Sequence, residues 1–119
     1  MGTFSTECEI ANFSDRSRKV LLPKILVDTG SEFTWAPRNQ LEEIGIGLEK
    51  EDLVFVMANG ATVTRSVGFA VVRVNDRFTV DEVVFAEEGD LLLLGARTLE
   101  GLNDPAQKRL VAAGPLPAA

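Results

Sequence analysis

The sequence has 119 residues, 45% of them hydrophobic and 25% charged, which fits one globular domain with its own core and is too short for two. Its formal net charge of −6 argues against a nucleic-acid partner, because such binding depends mainly on Lys and Arg contacts to phosphates. The chain has no histidine and a single cysteine, Cys8. This composition excludes Ser-His and Cys-His nucleophile pairs, ordinary zinc sites and a disulfide within the chain. If the chain is an enzyme, we expect carboxylates to carry its proton chemistry.

The first half of the chain alternates between strand patterns and turns. The predicted elements are strands at Thr3–Ala11, Val20–Val27 and Phe33–Ala36 and a short helix at Pro37–Ile44, with Gly45 just past its end. The first strand alternates apolar and polar residues, which places Cys8 on the apolar side as core filler. Pro23 marks an edge or a bend in the second strand, which delivers Asp28 at its end.

The second half contains the strongest hairpin signal of the chain. Asn59-Gly60 joins two β-rich runs, and both residues tolerate the positive φ angles of a tight hairpin turn. The predicted elements are strands at Leu53–Met57, Ala61–Val74, Arg77–Ala86, Leu91–Leu94 and Lys108–Val111, with an acidic loop at Glu87–Asp90 and a helical turn from Gly95 to Leu102. Leu91–Leu94 is predicted to be a strand buried on both faces. We expect an all-β (mainly β) fold, a small closed barrel or sandwich with one or two short helices, spanning residues 1–111 and followed by a flexible tail at 112–119.

The segment around Asp28 is the best candidate for chemistry. Asp28-Thr29-Gly30 alone is a weak signal, because Asp28 also fits a plain turn residue after a strand. Its context is more specific: an apolar strand precedes it, the Asn-Gly hairpin follows downstream, and Leu93-Leu94-Gly95 precedes a short helix. This ordered set predicts an active-site loop at Asp28.

With these motifs, the chain resembles the retroviral-type (retropepsin) aspartic proteases, and more closely their bacterial single-domain relatives, from Thr3 to about Val111. The resemblance implies the acid-protease fold and a homodimeric aspartic endopeptidase in which each subunit contributes one aspartate, here Asp28. It implies a flap hairpin over the peptide or protein substrate, with its tip at Met57, Ala58, Asn59, Gly60 and Ala61. It implies neither a metal nor another cofactor.

Two carboxylates within hydrogen-bonding distance cannot both ionise cheaply, so such a pair shares one proton and can activate water. By resemblance, the Thr29 hydroxyl hydrogen-bonds to the loop of the partner subunit, and Gly30 permits close backbone approach at the dimer axis. Ser31 stands where its hydroxyl is expected to donate to the Asp28 carboxylate. Leu94 and Gly95 are expected to support the pair structurally.

The chain departs from the retroviral pattern after Gly95, where Ala96 precedes Arg97 instead of an arginine followed by an acid or amide. We hypothesise that Glu32 reaches Arg97 and rebuilds an ion pair near the dimer axis. Trp35 is expected to anchor the core or the interface, because large aromatic side chains gain most from burial. A non-catalytic, dimeric peptide-binding module on the same fold is the alternative function.

The sequence also predicts where the protein works. No stretch approaches the roughly eighteen uninterrupted apolar residues of a membrane span, and residues 1–9 lack the basic and apolar regions of a signal peptide. We therefore expect a cytoplasmic protein without a membrane partner.

Overall fold

The computed structural model describes residues 4–103, so the predicted strand Lys108–Val111, the tail at 112–119 and the domain boundary at 111 lie outside the described residues. The elements are β1 (Phe4–Ala11), β2 (Lys19–Val27), β3 (Thr34–Pro37), α1 (Arg38–Glu43), β4 (Lys50–Val56), β5 (Thr62–Val74), β6 (Arg77–Ala86), β7 (Leu93–Leu94) and α2 (Ala96–Leu102). The predicted mainly-β class with two short helices is confirmed.

The strands form one seven-stranded sheet in the order β1-β2-β7-β3-β6-β5-β4, and β1 also pairs with β5. Three sequence-adjacent pairs, β1–β2, β4–β5 and β5–β6, are antiparallel, whereas β2 pairs with β7 and β3 with β6 in parallel. The parallel pairing of β2 with β7 places the end of β2, where Asp28 follows, beside the start of α2. The sheet thereby brings together two motifs that lie more than sixty residues apart in sequence.

Alternation along the strands sends one set of side chains into a common core. Its largest fully buried members are Phe85, Ile10, Ile25, Leu41 and Leu94. Cys8 belongs to the same cluster and is 1% exposed, as the strand pattern predicts. Burial raises the pKa of its thiol to about 12, so this cysteine is a core side chain that stays protonated.

Helix α1 forms where the sequence predicts it, because Pro37 supplies a fixed φ at the N-cap and Gly45 takes a φ of +81° just after the end. The backbone N–H of Ile46 then donates to the carbonyl of Leu41 and turns the chain back toward the sheet. Both helices are a single turn or two long, and among residues 4–103 neither has the length or the apolar character to cross a membrane.

Two strand predictions differ from the structure. Strand β7 contains only Leu93 and Leu94, and Leu91, predicted to be buried, is 65% exposed. The turn 87–90 directs Leu91 away from the sheet. Four consecutive leucines therefore do not all occupy buried positions. Strand β4 begins at Lys50, earlier than predicted, through a bulge in which Asp52 has a φ of 58°. Its charged first residues carry no apolar alternation that could have indicated a strand.

Candidate active site

The Asp28 turn is built by hydrogen bonds within the loop and to the strand beside it. The backbone N–H of Asp28 donates to the carbonyl of Leu94 at 3.0 Å, which continues the parallel pairing of β2 with β7. The N–H of Ser31 donates to the Asp28 carbonyl at 3.2 Å, and the N–H of Gly30 donates to Asp28 Oδ1 at 2.9 Å. The carboxylate therefore has a fixed orientation while remaining partly exposed to solvent.

Two glycines allow the close backbone approaches of this site. A Cβ on Gly30 would lie 3.2 Å from Asp28 Oδ1, the oxygen that accepts the hydrogen bond from the Gly30 N–H. A Cβ on Gly95 would overlap the carbonyl of Phe33. Gly95 therefore lets α2 begin directly against the segment that follows the Asp28 turn, which gives the predicted structural role of Gly95 a physical reason.

The same segment is bonded to the first residues of α2. The N–H of Ala96 donates to the Ser31 carbonyl at 2.7 Å, and the N–H of Arg97 donates to the Glu32 carbonyl at 3.2 Å. The hydroxyl of Ser31 donates to the carbonyl of Phe33 at 3.1 Å, so the predicted Ser31 bond to the Asp28 carboxylate is wrong for this structure. A hydroxyl has a single proton to donate, and the nearby Phe33 carbonyl takes it.

Beneath the turn lies a buried chain of hydrogen bonds that the sequence did not indicate. The N–H of Gly95 donates to Thr34 Oγ1 at 3.0 Å, and Thr34 Oγ1 lies 2.6 Å from Thr98 Oγ1. Thr98 in turn donates to Asp81 Oδ2 at 3.1 Å. Because an ionised carboxylate only accepts, the Thr98 proton goes to Asp81 and Thr34 donates to Thr98. The two threonines, both fully buried, thus connect β3, β6 and α2 below the site.

Arg97 does not form the side-chain ion pair with Glu32 that we hypothesised from the sequence. Its guanidinium instead donates to Glu82 at 3.0 Å, lies 3.6 Å from Asp81 and stacks over the Phe33 ring at 5.3 Å from the centroid. Strand β6 places both acids beside α2, a proximity that is invisible in sequence. Glu82 also pairs with Lys50, and chiefly this contact, with help from Arg97, lowers the pKa of the Glu82 carboxyl.

A cleft of about 660 Å³ opens beside the turn. Its lining combines the Asp28 loop, one face of the hairpin and the exposed end of the leucine run: Asp28, Gly30, Ser31, Glu32, Phe33, Trp35, Leu53, Val54, Phe55, Val56, Met57, Ala58, Leu91 and Leu93. Phe55 packs edge-on against both Phe33 and Trp35, with ring centroids 5.6 and 5.3 Å apart. Trp35 is 5% exposed, so it is a core anchor, as expected, and also part of the cleft wall. The cleft is thus mainly apolar with carboxylates at one side.

The β4–β5 hairpin forms where Asn59-Gly60 predicts it. Met57 and Ala61 pair across the turn at 2.7 Å, the N–H of Gly60 donates to the Met57 carbonyl, and Asn59 Oδ1 accepts the N–H of Ala61. Gly60 has a φ of +88°. Met57 and Ala58 line the cleft, whereas Asn59, Gly60 and Ala61 form the exposed tip beyond it.

Several cleft residues were missed from the sequence, notably Phe33, Phe55 and Leu91. The period-two pattern of Leu53, Phe55 and Met57 was a usable signal, because it puts three apolar side chains on one face of a hairpin next to the predicted active-site loop. Leu91 had no such signal. Within residues 4–103, no three His, Cys, Asp or Glu side chains are grouped where they could hold a metal ion.

The chain is similar to the simian foamy virus (mac) protease, known from a solution structure, with 21% identity over 94% of this chain and 99% of that chain and a TM-score of 0.47. No match was found among curated proteins. A family model described as aspartyl protease matches residues 16–98, more than half of the chain, and the match includes the Asp28 turn, the hairpin and Gly95. The chain belongs to the aspartyl protease family.

Proposed function

We propose that this protein is an aspartic endopeptidase that acts as a homodimer, with Asp28 of each chain contributing one carboxylate to a shared active site. The observation that carries the proposal is the Asp28 turn itself. Its carboxylate is oriented by the Gly30 N–H at the edge of a peptide-sized cleft, while Thr29 and Gly30 at the tip of the turn are exposed. An exposed, rigid turn of this kind can meet its own copy across a twofold axis.

In the dimer, the two Asp28 carboxylates share one proton. The ionised member takes a proton from a bound water as that water attacks the peptide carbonyl, and the protonated member polarises the carbonyl oxygen. The proton then passes to the leaving amine as the tetrahedral intermediate collapses. The bound water, the two carboxylates and one proton suffice for this hydrolysis. Gly30 keeps the backbone close at the axis, and the Thr29 hydroxyl is assigned the cross-subunit hydrogen bond.

The substrate is an extended peptide that lies in the cleft beneath the hairpin. Phe33, Phe55 and Leu91 offer apolar contacts to its side chains, and the tip from Met57 to Ala61 closes over it as a flap and excludes water. Closure is supported by the exposure of Ala58, Asn59, Gly60 and Ala61, whose side chains are not held by the core. We place the enzyme in the cytoplasm, in keeping with the free, buried thiol of Cys8.

The catalytic assignment is tested by comparing two isosteric variants. Asp28 and Glu32 both line the cleft, but only the Asp28 carboxylate is held by a backbone N–H of the active-site turn. Asp28→Asn is expected to lower kcat by at least about a hundredfold, because loss of acid-base catalysis alone is worth about 10²–10⁴. Glu32→Gln is expected to stay within about threefold of wild type. Equal cleavage by wild type and Asp28→Asn would refute the proposal.

The dimer is tested by measuring mass in solution against protein concentration, beside peptide-library cleavage from about pH 4 to 7. Specific activity should rise with concentration in step with the dimer fraction. Activity that stays constant while the protein is monomeric would contradict a shared site. Peptide binding by a wild-type dimer that never cleaves would instead identify the non-catalytic module.

A further inference from the structure

A bidentate ion pair connects the hairpin to the turn 87–90, which precedes the cleft residue Leu91. Arg65 on β5 donates from Nε to Asp90 Oδ2 at 2.7 Å and from Nη2 to Asp90 Oδ1 at 2.8 Å. The two side chains are only 16% and 14% exposed. Arg65 Nη1 also donates to the Thr64 carbonyl, and Asp90 Oδ2 accepts the N–H of Glu87 at 2.8 Å. The pair is therefore well fixed at both ends.

Arg65 occupies the place where the hairpin leaves the body of the protein. It pairs in register with Leu53, which lines the cleft, and the next residues along β5, Ser66 and Val67, are buried. Toward the tip the situation reverses, and Val56 is 74% exposed. The Arg65 contact thus separates the packed base of the hairpin from its projecting half.

Asp90 ends the turn that directly precedes Leu91. Its N–H donates to the Glu87 carbonyl at 3.0 Å, so the turn 87–90 is closed by both its backbone and its side chain. The next residue is Leu91, which is 65% exposed and lines the cleft. The position of Leu91 relative to the hairpin therefore depends on where Arg65 holds Asp90.

We propose that Arg65 and Asp90 are positioning residues that set the distance between the hairpin and Leu91, and thereby the affinity of the cleft for an apolar peptide side chain. The peptide half of this inference rests on the proposed function, whereas the mechanical link between the hairpin and the turn does not. The planar guanidinium makes two parallel hydrogen bonds that fix both distance and orientation, which the ammonium of a lysine cannot do.

Supporting this role, the Arg65 hydrogen bonds hold the pKa of the Asp90 carboxyl below its ordinary value, so the pair stays ionised at neutral pH. Loosening the Arg65–Asp90 pair weakens contacts that the cleft makes equally with the bound substrate and with the transition state. Such a loss raises KM and leaves kcat nearly unchanged, whereas general damage to the fold near Asp28 lowers kcat.

The test uses the 119-residue chain in four forms: wild type, Arg65→Lys, Asp90→Asn and Glu9→Gln. Glu9 pairs with Lys19 and Arg73 on β1, β2 and β5 and does not line the cleft, so its variant is the matched control for loss of an ion pair. Amide hydrogen exchange without substrate reports the hairpin 54–64 and the segment 87–92. Steady-state cleavage of a peptide with leucine at the scissile bond reports KM and kcat. Binding of a statine-type, non-cleavable leucine peptide is followed by Trp35 fluorescence.

Arg65→Lys and Asp90→Asn are each expected to speed exchange in both segments, to raise KM and the Kd of the statine peptide about tenfold, and to keep kcat within about twofold. Glu9→Gln should match wild type in every measurement. Arg65→Lys keeps the positive charge, so it still tests the inference if Asp90→Asn folds poorly. Unchanged exchange in both segments, or a fall in kcat at constant KM, would overturn the inference. If wild type cleaves nothing, the proposed function fails, and exchange together with statine-peptide affinity still decides this inference.

Discussion

The buried chain from Gly95 through Thr34 and Thr98 to Asp81 predicts a large effect for a small change. Thr98→Val keeps the shape of the side chain and removes its hydroxyl. Two hydrogen bonds disappear: the 2.6 Å contact with Thr34 and the 3.1 Å bond to the Asp81 carboxylate. The Thr34 proton is left without its acceptor in a fully buried place.

The expected cost follows from these two bonds. A hydrogen bond to a charged group contributes about 1.5–3 kcal/mol and a neutral one about 0.5–1.5 kcal/mol, so Thr98→Val should lower the free energy of unfolding by about 2–4.5 kcal/mol. Thr98→Ser is the matched control, because it keeps the hydroxyl and loses one methyl, worth about 1 kcal/mol. Against a typical total of about 5–15 kcal/mol, the difference is easily measured.

Urea unfolding, followed by Trp35 fluorescence and far-UV circular dichroism, measures both variants. All proteins carry Asp28→Asn, which prevents self-digestion, and share one total concentration, because the stability of a dimer depends on it. The reasoning is refuted if Thr98→Val is as stable as Thr98→Ser at equal m-values. It would then follow that the hydroxyl chain does not hold α2 against β3 and β6.

Two further predictions concern single side chains. Glu82→Gln should lower the free energy of unfolding at pH 7, and this deficit relative to wild type should shrink as the pH falls below about 4.5. The reason is that Lys50 chiefly lowers the pKa of the Glu82 carboxyl in the folded state, and that stabilisation is lost on protonation. A deficit that is constant from pH 7 to 3 would contradict this prediction. Cys8 should react with a thiol reagent at pH 8 only on unfolding, because its thiol has a pKa of about 12 and the residue is 1% exposed. Labelling is followed by mass spectrometry, and fast labelling of the native protein would contradict this prediction.

Local patterns accounted for much of the fold. Alternation in β1, the Asn59-Gly60 turn and the Pro37 start of α1 are short-range signals, because each depends on backbone preferences of a few neighbouring residues. Such signals weaken where several charged residues or several leucines follow one another in the sequence. The bulged start of β4 at Lys50 and the exposed Leu91 were missed for that reason.

The partners of polar side chains followed a different rule. Ser31 and Arg97 have several acceptors within reach in any plausible fold, and the choice depends on which backbone or strand comes to lie nearest. Ser31 donates to the Phe33 carbonyl, and Arg97 binds Glu82 on β6 instead of Glu32. Hydrogen-bond partners are therefore set by distances of a few tenths of an ångström, which no sequence pattern carries.

By itself, the sequence determined the chemistry that is possible. It has no histidine and a single cysteine, and it presents Asp28 after an apolar strand, which leaves a carboxylate as the candidate reagent. Only the tertiary structure decided what surrounds that carboxylate. Parallel pairing of β2 with β7 brings Leu94 beside Asp28, and the hairpin with Leu91 completes an apolar cleft. These contacts are long-range, so they arise from the packing of whole strands and not from the residues next to Asp28.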